Sequence, residues 1–153
     1  MSYLKKILLF ALLFVSFTTS VFAECNLDES RWKWLFSTDQ YGCYYDRKTA
    51  KIKSASTFEV WTCEYYPGHS SCGDSDCVNA RINNAEHYHY WLTEFNSNRY
   101  TYTAKYLLIR DTNGNVIDSI DGSSYAKPSS IMPDSVGEDT MLKIKQDLYK
   151  HRR

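Results

Sequence analysis

Hydrophobic side chains alternate with polar ones along several stretches of the chain, and this period of two is typical of β-strands with one buried face. These stretches are rich in aromatic and β-branched residues, which favour strands. Turn residues separate them, among them Asn113-Gly114, a frequent hairpin turn. The pattern predicts strands over residues 31–37, 41–46, 57–66, 86–95, 100–109 and 116–120, with 51–53 as a continuation of the second.

Tyrosines crowd two consecutive predicted strands. The chain has 13 of them, and an aromatic ring with a polar tip suits a half-exposed sheet face or a binding surface. Alternation places Tyr88 and Tyr90 on one face of their strand, and Tyr100, Tyr102 and Tyr106 together on one face of the next. Adjacent tyrosines make contact surfaces at low entropic cost, so we predict these five as binding residues. The alternative is that some of them pack beneath a helix.

The last part of the chain instead has apolar residues at helical spacing, namely Met141, Ile144 and Leu148. Ser135 and Glu138 stand before this stripe at capping-box spacing, which predicts a helix over 136–150. The stripe needs an apolar partner, and one face of the sheet is the available surface. The predicted fold class is therefore α+β, an antiparallel sheet of five to six strands with one C-terminal amphipathic helix packed on it.

Residues 1–23 have the pattern of a secretory signal peptide. Lys5 and Lys6 precede an apolar run over 7–17, and Val21-Phe22-Ala23 offers small residues at the cleavage positions. The run is too short to span a bilayer, which takes about 20 residues. We therefore expect export to the periplasm, the cell surface or the medium, with 24–153 as a single domain and no membrane span after signal cleavage.

The charge balance and the absence of catalytic motifs narrow the range of possible functions. The chain has 18 basic and 18 acidic side chains and a formal net charge of zero, whereas nucleic-acid-binding proteins usually carry a basic excess or a basic face. Neither a Gly-x-Ser-x-Gly nucleophile motif nor a Gly-rich phosphate loop after a strand is present. These observations favour a non-enzymatic protein that needs no cofactor, binds no nucleic acid and has a protein or another surface macromolecule as its partner.

Five cysteines indicate a disulfide framework in an oxidising compartment. Cys43 and Cys63 lie on strands predicted to be neighbours and could pair, while Cys72 and Cys77 could close a polar loop. The odd number leaves one thiol, and Cys25 could then join two chains into a dimer.

Histidines near the same loop offer metal binding as an alternative. His69, His87 and His89, with Cys72 and Cys77, supply the ligand types of a tetrahedral zinc site. His87 and His89 share one face of a predicted strand and could chelate together. Because the spacing matches no standard zinc motif, we predict no metal site and keep the histidine set as the alternative.

Several short motifs follow one another along residues 32–150. They are Trp34, Ser37-Thr38, Tyr44-Tyr45-Asp46, Ile52, Val60-Trp61, Asn113-Gly114-Asn115 and Ile131-x-Pro133-x-Ser135-x-x-Glu138. Together they resemble the surface-adhesin protein E-like family of small exported bacterial proteins. The resemblance implies an antiparallel sheet with a C-terminal helix packed on it. It also implies that Trp34 and Trp61 are core residues, that Tyr45-Asp46 ends a strand, and that Ser135 and Glu138 cap the helix.

The same resemblance implies no catalytic residues, and its named member is a surface adhesin that binds host extracellular-matrix and serum proteins. The chain departs from the family pattern in three ways: the last helix has no cysteine, the loop over 64–84 is elaborated, and no lipid-anchor cysteine is present. We therefore predict an exported, non-enzymatic binding protein with adhesin-like contact to host or surface macromolecules. The alternatives are a secreted or periplasmic inhibitor or partner of an enzyme, and a metal-binding enzyme.

Overall fold

The structure, a computed structural model, describes residues 27–67 and 85–150. The predicted signal peptide over 1–23 lies outside these residues. In the described part of the chain the strands are β1 Trp32–Ser37, β2 Gly42–Asp46, β3 Lys51–Ile52, β4 Thr57–Tyr66, β5 His87–Asn96, β6 Thr101–Asp111, β7 Val116–Asp121 and β8 Ser129–Ser130, and the helix is α1 Val136–Lys150.

The described strands all pair antiparallel in one sheet. Its order is β1-β2-β4-β5-β6-β7, with β3 paired to β4 and β8 paired to β6. The predicted α+β fold, an antiparallel sheet with a C-terminal helix, is confirmed. The predicted count of five to six strands is too low, because β3 and β8 are separate strands of two residues each, too short to show alternation. The hairpin at Asn113-Gly114 joins β6 to β7, with Gly114 at a φ of 85°.

Alternation along β4 defines the two faces of the sheet. Phe58 and Val60 point toward α1 and are fully buried with it, and we call this side the inner face. Trp61 and Cys63 point to the opposite side, which we call the outer face. The two pairs therefore lie on opposite faces of the sheet, as the strand period of two requires.

The two tryptophans expected in the core lie outside it. Trp34 pairs with Tyr44, which pairs with Cys63 on the outer face, and 54% of Trp34 is exposed. Trp61 is half-buried on the same face and contacts the ring of Tyr106. The core assignment is wrong because α1, which supplies the covering apolar surface, packs on the inner face.

The helix begins and packs as its sequence predicts. Ser135 Oγ accepts a hydrogen bond from the Glu138 N–H at 3.3 Å, and the Glu138 carboxylate accepts one from the Asp134 N–H at 2.7 Å. Met141 and Ile144 are fully buried, with Leu148 packed beside them. The core on the inner face consists of Leu35, Cys43, Tyr45, Phe58, Val60, Phe95, Ile131, Met141 and Ile144.

Asp147 fixes the last turns of α1 against the first hairpin. Its carboxylate accepts a hydrogen bond from the Tyr45 hydroxyl and forms ion pairs with Lys33 Nζ at 2.5 Å and Arg47 Nε at 3.6 Å. Burial raises the pKa of Tyr45, and the bond to Asp147 adds to that shift. The hairpin β1–β2 and the helix therefore hold each other in one orientation.

Candidate functional site

The five predicted binding tyrosines are divided between the two faces of the sheet. Tyr88, Tyr90 and Tyr106 lie on the outer face. Tyr102 lies on the inner face, and Tyr100 lies in the turn before β6 with a φ of 49°. Tyr88 is 5% exposed, against 42% for Tyr100 and 39% for Tyr102. The set therefore does not form one contact surface.

A β-bulge in β6 causes this division. Leu92 pairs with Tyr106, but the next residue of β5, Thr93, pairs with Ala104, so Lys105 is an extra residue in the strand. Residues before and after the bulge with the same sequence parity consequently face opposite sides. The prediction that Tyr100, Tyr102 and Tyr106 share a face is wrong for this reason.

The outer face carries a cleft of about 290 Å³ near the middle of the sheet. We call it the outer cleft, and its lining residues are Arg31, Trp32, Trp61, Tyr90, Leu108 and Arg110. The ring centroids of Trp32 and Tyr90 are 5.5 Å apart and tilted, so the side chain of the first residue of β1 contacts that of Tyr90 in β5. Flat aromatic walls of this kind supply apolar contact area together with polar ring edges.

The two arginines of the outer cleft differ in their partners. Arg31 donates from both Nε and Nη2 to Asp46 Oδ2, at 2.9 and 2.6 Å, and its guanidinium lies 5.6 Å from the Trp32 ring. Arg110 Nε, by contrast, is buried and has no hydrogen-bond partner among the described residues. Burial raises the pKa of Tyr90, and the positive charge of Arg110 opposes that shift. The Nε–H of Arg110 is therefore a donor of the cleft that still has a hydrogen bond to give.

A larger cavity, of about 590 Å³, lies on the inner face beside the N-terminal end of α1. We call it the inner cavity. It has aromatic walls made by Phe36, Tyr41, Tyr66, Trp91, Phe95 and Tyr102. Among the described residues that line it, Glu64 is the one that carries a charge. The remaining polar lining includes the hydroxyl groups of Thr62, Thr93 and Thr140.

His87 and His89 share the inner face, as predicted, and lie deep in the protein. They are 2% and 4% exposed, their ring centroids are 5.0 Å apart, and Tyr66 contacts both rings. His87 Nδ1 donates to the Ala85 carbonyl at 2.7 Å. The described residues contain no group of three metal-ligating side chains, and His69 lies outside the described residues. Burial lowers the pKa of both histidines, that of His89 to about 4.

The suggested pair Cys43–Cys63 does not form a disulfide. The strands β2 and β4 are neighbours, but Cys43 pairs with Glu64 and Cys63 pairs with Tyr44. The two thiols therefore point to opposite faces of the sheet, where no rotation of their side chains can join them. Burial raises the pKa of Cys43, which keeps that thiol protonated. The other three cysteines, Cys25, Cys72 and Cys77, lie outside the described residues.

Sequence reasoning missed the charged residues of both sites. Alternation in a strand puts Arg110 on the same face as Leu108, and Glu64 on the same face as Thr62. From the sequence alone, charged residues at these positions are expected to be exposed to solvent, because the aromatic neighbours that other strands supply are not yet known.

The described residues include no helix that is long and apolar enough to cross a membrane. Comparisons with protein-family models, curated proteins and solved structures found no match to this chain.

Proposed function

We propose that this protein is an exported, non-enzymatic binding protein that holds a protein partner in the outer cleft. The cleft combines two tryptophans, a tyrosine and two arginines. Trp, Tyr and Arg are the residues that most often dominate the binding energy of protein interfaces. The resemblance to the surface-adhesin protein E-like family implies host matrix and serum proteins as the partner class, reached by an adhesin-like contact.

One observation carries the proposal: Arg110 Nε is buried without a hydrogen-bond partner in the described part of the chain. A buried donor with no acceptor costs free energy, and native proteins keep few such groups. A carboxylate of the partner would satisfy the guanidinium with a charge-assisted hydrogen bond. The aromatic rings around it would exclude water and strengthen that bond.

The test uses the exported chain immobilised on a surface and exposed to solubilised extracellular matrix and to serum. Arg110→Gln and Trp61→Ala should each weaken retention of the bound protein about tenfold or more, as expected for a lost charge-assisted bond or a buried aromatic anchor. Arg99→Gln is the matched control, because Arg99 is exposed in the turn before β6, and it should bind as the unchanged chain does.

Photo-crosslinking locates the contact independently. A photoreactive side chain in place of Trp34, which is exposed on the outer face, should capture the partner. The same group in place of Leu142, which is 43% exposed on α1, should not. Equal binding by Arg110→Gln and the unchanged chain, capture only at position 142, or no retained protein from either source would each overturn the proposal. Crosslinking between two copies of the chain would indicate that the partner in the cleft is a second copy and not a host protein.

A further inference from the structure

A second cavity, of about 310 Å³, adjoins the inner cavity. It lies between β6, β7 and the segment 122–129, and we call it the loop cavity. Trp91 and Tyr102 line both cavities. Trp91 pairs with Leu107, which pairs with Ile120, so the loop cavity also lies on the inner face of the sheet. The two cavities therefore form one groove across this face.

Aromatic rings line the groove along its length, and two of them are exposed. Tyr102, where the cavities meet, is 39% exposed, and Tyr125 in the loop cavity is 66% exposed. Phe36 and Tyr41 line the opposite end, with ring centroids 6.2 Å apart. Exposed apolar surface with polar neighbours often marks a ligand-binding groove. A ligand in this groove would contact flat rings at several points.

Uncharged polar groups lie among these rings. The inner cavity has the amide of Gln40 and the hydroxyls of Thr62 and Thr93, and the loop cavity has the hydroxyl of Ser129. Hydroxyl and amide groups can both donate and accept hydrogen bonds. An aliphatic chain would displace water from these groups without replacing its hydrogen bonds, which is unfavourable. The lining therefore favours a ligand that has hydroxyl groups of its own.

The charged residues in the described lining interact with other protein groups or lie at the surface. Glu64 accepts hydrogen bonds from two neighbouring side chains, at 3.1 and 3.3 Å. Lys105 Nζ forms ion pairs with Glu59 and Glu94, at 2.8 and 2.7 Å. Lys127 is exposed, where water weakens its charge interactions. The described lining therefore favours a neutral ligand.

We propose that this groove binds a neutral oligosaccharide chain. A sugar ring has an apolar face of C–H groups and a rim of hydroxyls, which match aromatic walls with hydroxyl and amide groups between them. A chain of such rings repeats this match across both cavities. An extended peptide would instead need free backbone groups at a sheet edge. This groove lies on a face, where the backbones of β4, β5 and β6 pair with each other.

The experiment titrates the exported chain with cellopentaose, maltopentaose and chitopentaose by isothermal titration calorimetry, each beside its own disaccharide. The three neutral pentasaccharides differ in linkage or substituents, so together they sample the proposed class. At least one should bind with submillimolar affinity and at least tenfold more tightly than its disaccharide, because only the longer chain reaches both cavities. Octan-1-ol, a neutral aliphatic chain, should bind more weakly than that pentasaccharide.

Substitutions in the groove locate the binding. Tyr102→Ala removes the ring shared by both cavities and should weaken pentasaccharide binding at least tenfold, as expected for a lost aromatic anchor. Tyr100→Ala is the matched control and should have no effect, because Tyr100 is 42% exposed but belongs to the described lining of neither cavity. Tyr125→Ala should reduce the advantage of the pentasaccharide over the disaccharide, because it removes a ring from the loop cavity alone. Thr93→Val removes a hydroxyl at nearly constant volume and should weaken binding several-fold.

Two further measurements keep the outcomes separate. Urea unfolding shows whether Tyr102→Ala is folded, and if it is not, Tyr125→Ala decides, because that side chain lies at the surface. Arg110→Gln alters the outer cleft, so it should bind the pentasaccharide as the unchanged chain does, and failure at either site leaves the other proposal standing. The oligosaccharide proposal is refuted by no binding of any pentasaccharide at millimolar concentration, by equal affinity for the disaccharide, by tighter binding of octan-1-ol, or by equal losses in Tyr100→Ala and Tyr102→Ala.

Discussion

The buried histidine pair predicts that this protein loses stability as the pH falls from about 6.5 toward 4. His89 is 4% exposed, and its ring contacts those of Tyr66 and His87. Burial is the main cause that lowers its pKa to about 4, and the neighbouring His87 adds to the shift. An unfolded chain would instead protonate this imidazole near its ordinary value of 6.5.

The sign and the magnitude follow from that difference. Between pH 6.5 and 4 the unfolded state binds a proton that the folded state does not. The free energy of unfolding therefore decreases as the pH is lowered through this range. A shift from 6.5 to about 4 corresponds to about 3 kcal/mol at about 1.4 kcal/mol for each pH unit. The lowered pKa of His87, again caused mainly by burial, acts in the same direction. Carboxyl groups whose pKa is held below its ordinary value, such as Glu59 at about 2, lose their stabilising contribution at lower pH than the histidines do.

Urea unfolding followed by tryptophan fluorescence, in steps from about pH 7.5 to 4.5, measures the effect. The unchanged chain should lose about 3 kcal/mol over the full window, whereas His89→Gln, which cannot take up the proton, should lose at most half as much. Equal losses in the two proteins would refute the assignment to His89. A gain of stability on acidification would mean that the imidazolium of His89, whose partner across the β4–β5 ladder is Glu64, is stabilised by a charge in the folded state.

Two further predictions concern fully buried side chains and use the same urea assay at neutral pH. Asp46→Ala should cost about 3 kcal/mol, because the fully buried carboxylate accepts from Arg31, from the Thr49 hydroxyl and from two backbone N–H groups. Ile144→Ala should cost about 3 kcal/mol, because the side chain is fully buried between α1 and the sheet.

Exposed neighbours provide the controls for both changes. Asp28→Ala and Leu142→Ala should each cost less than about 1 kcal/mol, because Asp28 and Leu142 lie at the surface. If Asp46→Ala were as mild as Asp28→Ala, its hydrogen bonds would be replaceable by water. If Ile144→Ala matched Leu142→Ala, the helix would not be docked by its apolar stripe.

The elements of this fold were predictable because their signals are local. Val136–Lys150 is bounded by its cap and its apolar stripe, and Thr57–Tyr66 by its alternation. The side of the sheet that a residue faces was predictable only where alternation continues without interruption, as along β4. At Lys105 the bulge is set by the pairing of β6 with β5, which no single segment encodes, so the positions of Tyr102 and Tyr106 could not be read from their spacing.

The candidate sites were less predictable because each assembles side chains from several strands. The aromatic content of the chain indicated a contact surface, but the choice of tyrosines alone left out Arg110 and Glu64. The suggested pair Cys43 and Cys63 failed for a related reason: neighbouring strands were identified, but a register in which Cys63 pairs with Tyr44 puts the two thiols on opposite faces. Register across strands, rather than composition within one, decides which groups meet.

The outer cleft and the inner cavity lie back to back on the same strands, and the bulge decides which residues of β6 line each of them. Along β4, Trp61 faces the cleft and Glu64 the cavity, as plain alternation requires. Along β6, Tyr102 lines the cavity and Arg110 lines the cleft although both are even-numbered. The extra residue, Lys105, reverses the faces between them. Deleting Lys105 would therefore reverse the faces of one half of β6. The side chains of that half would then move from one site to the other.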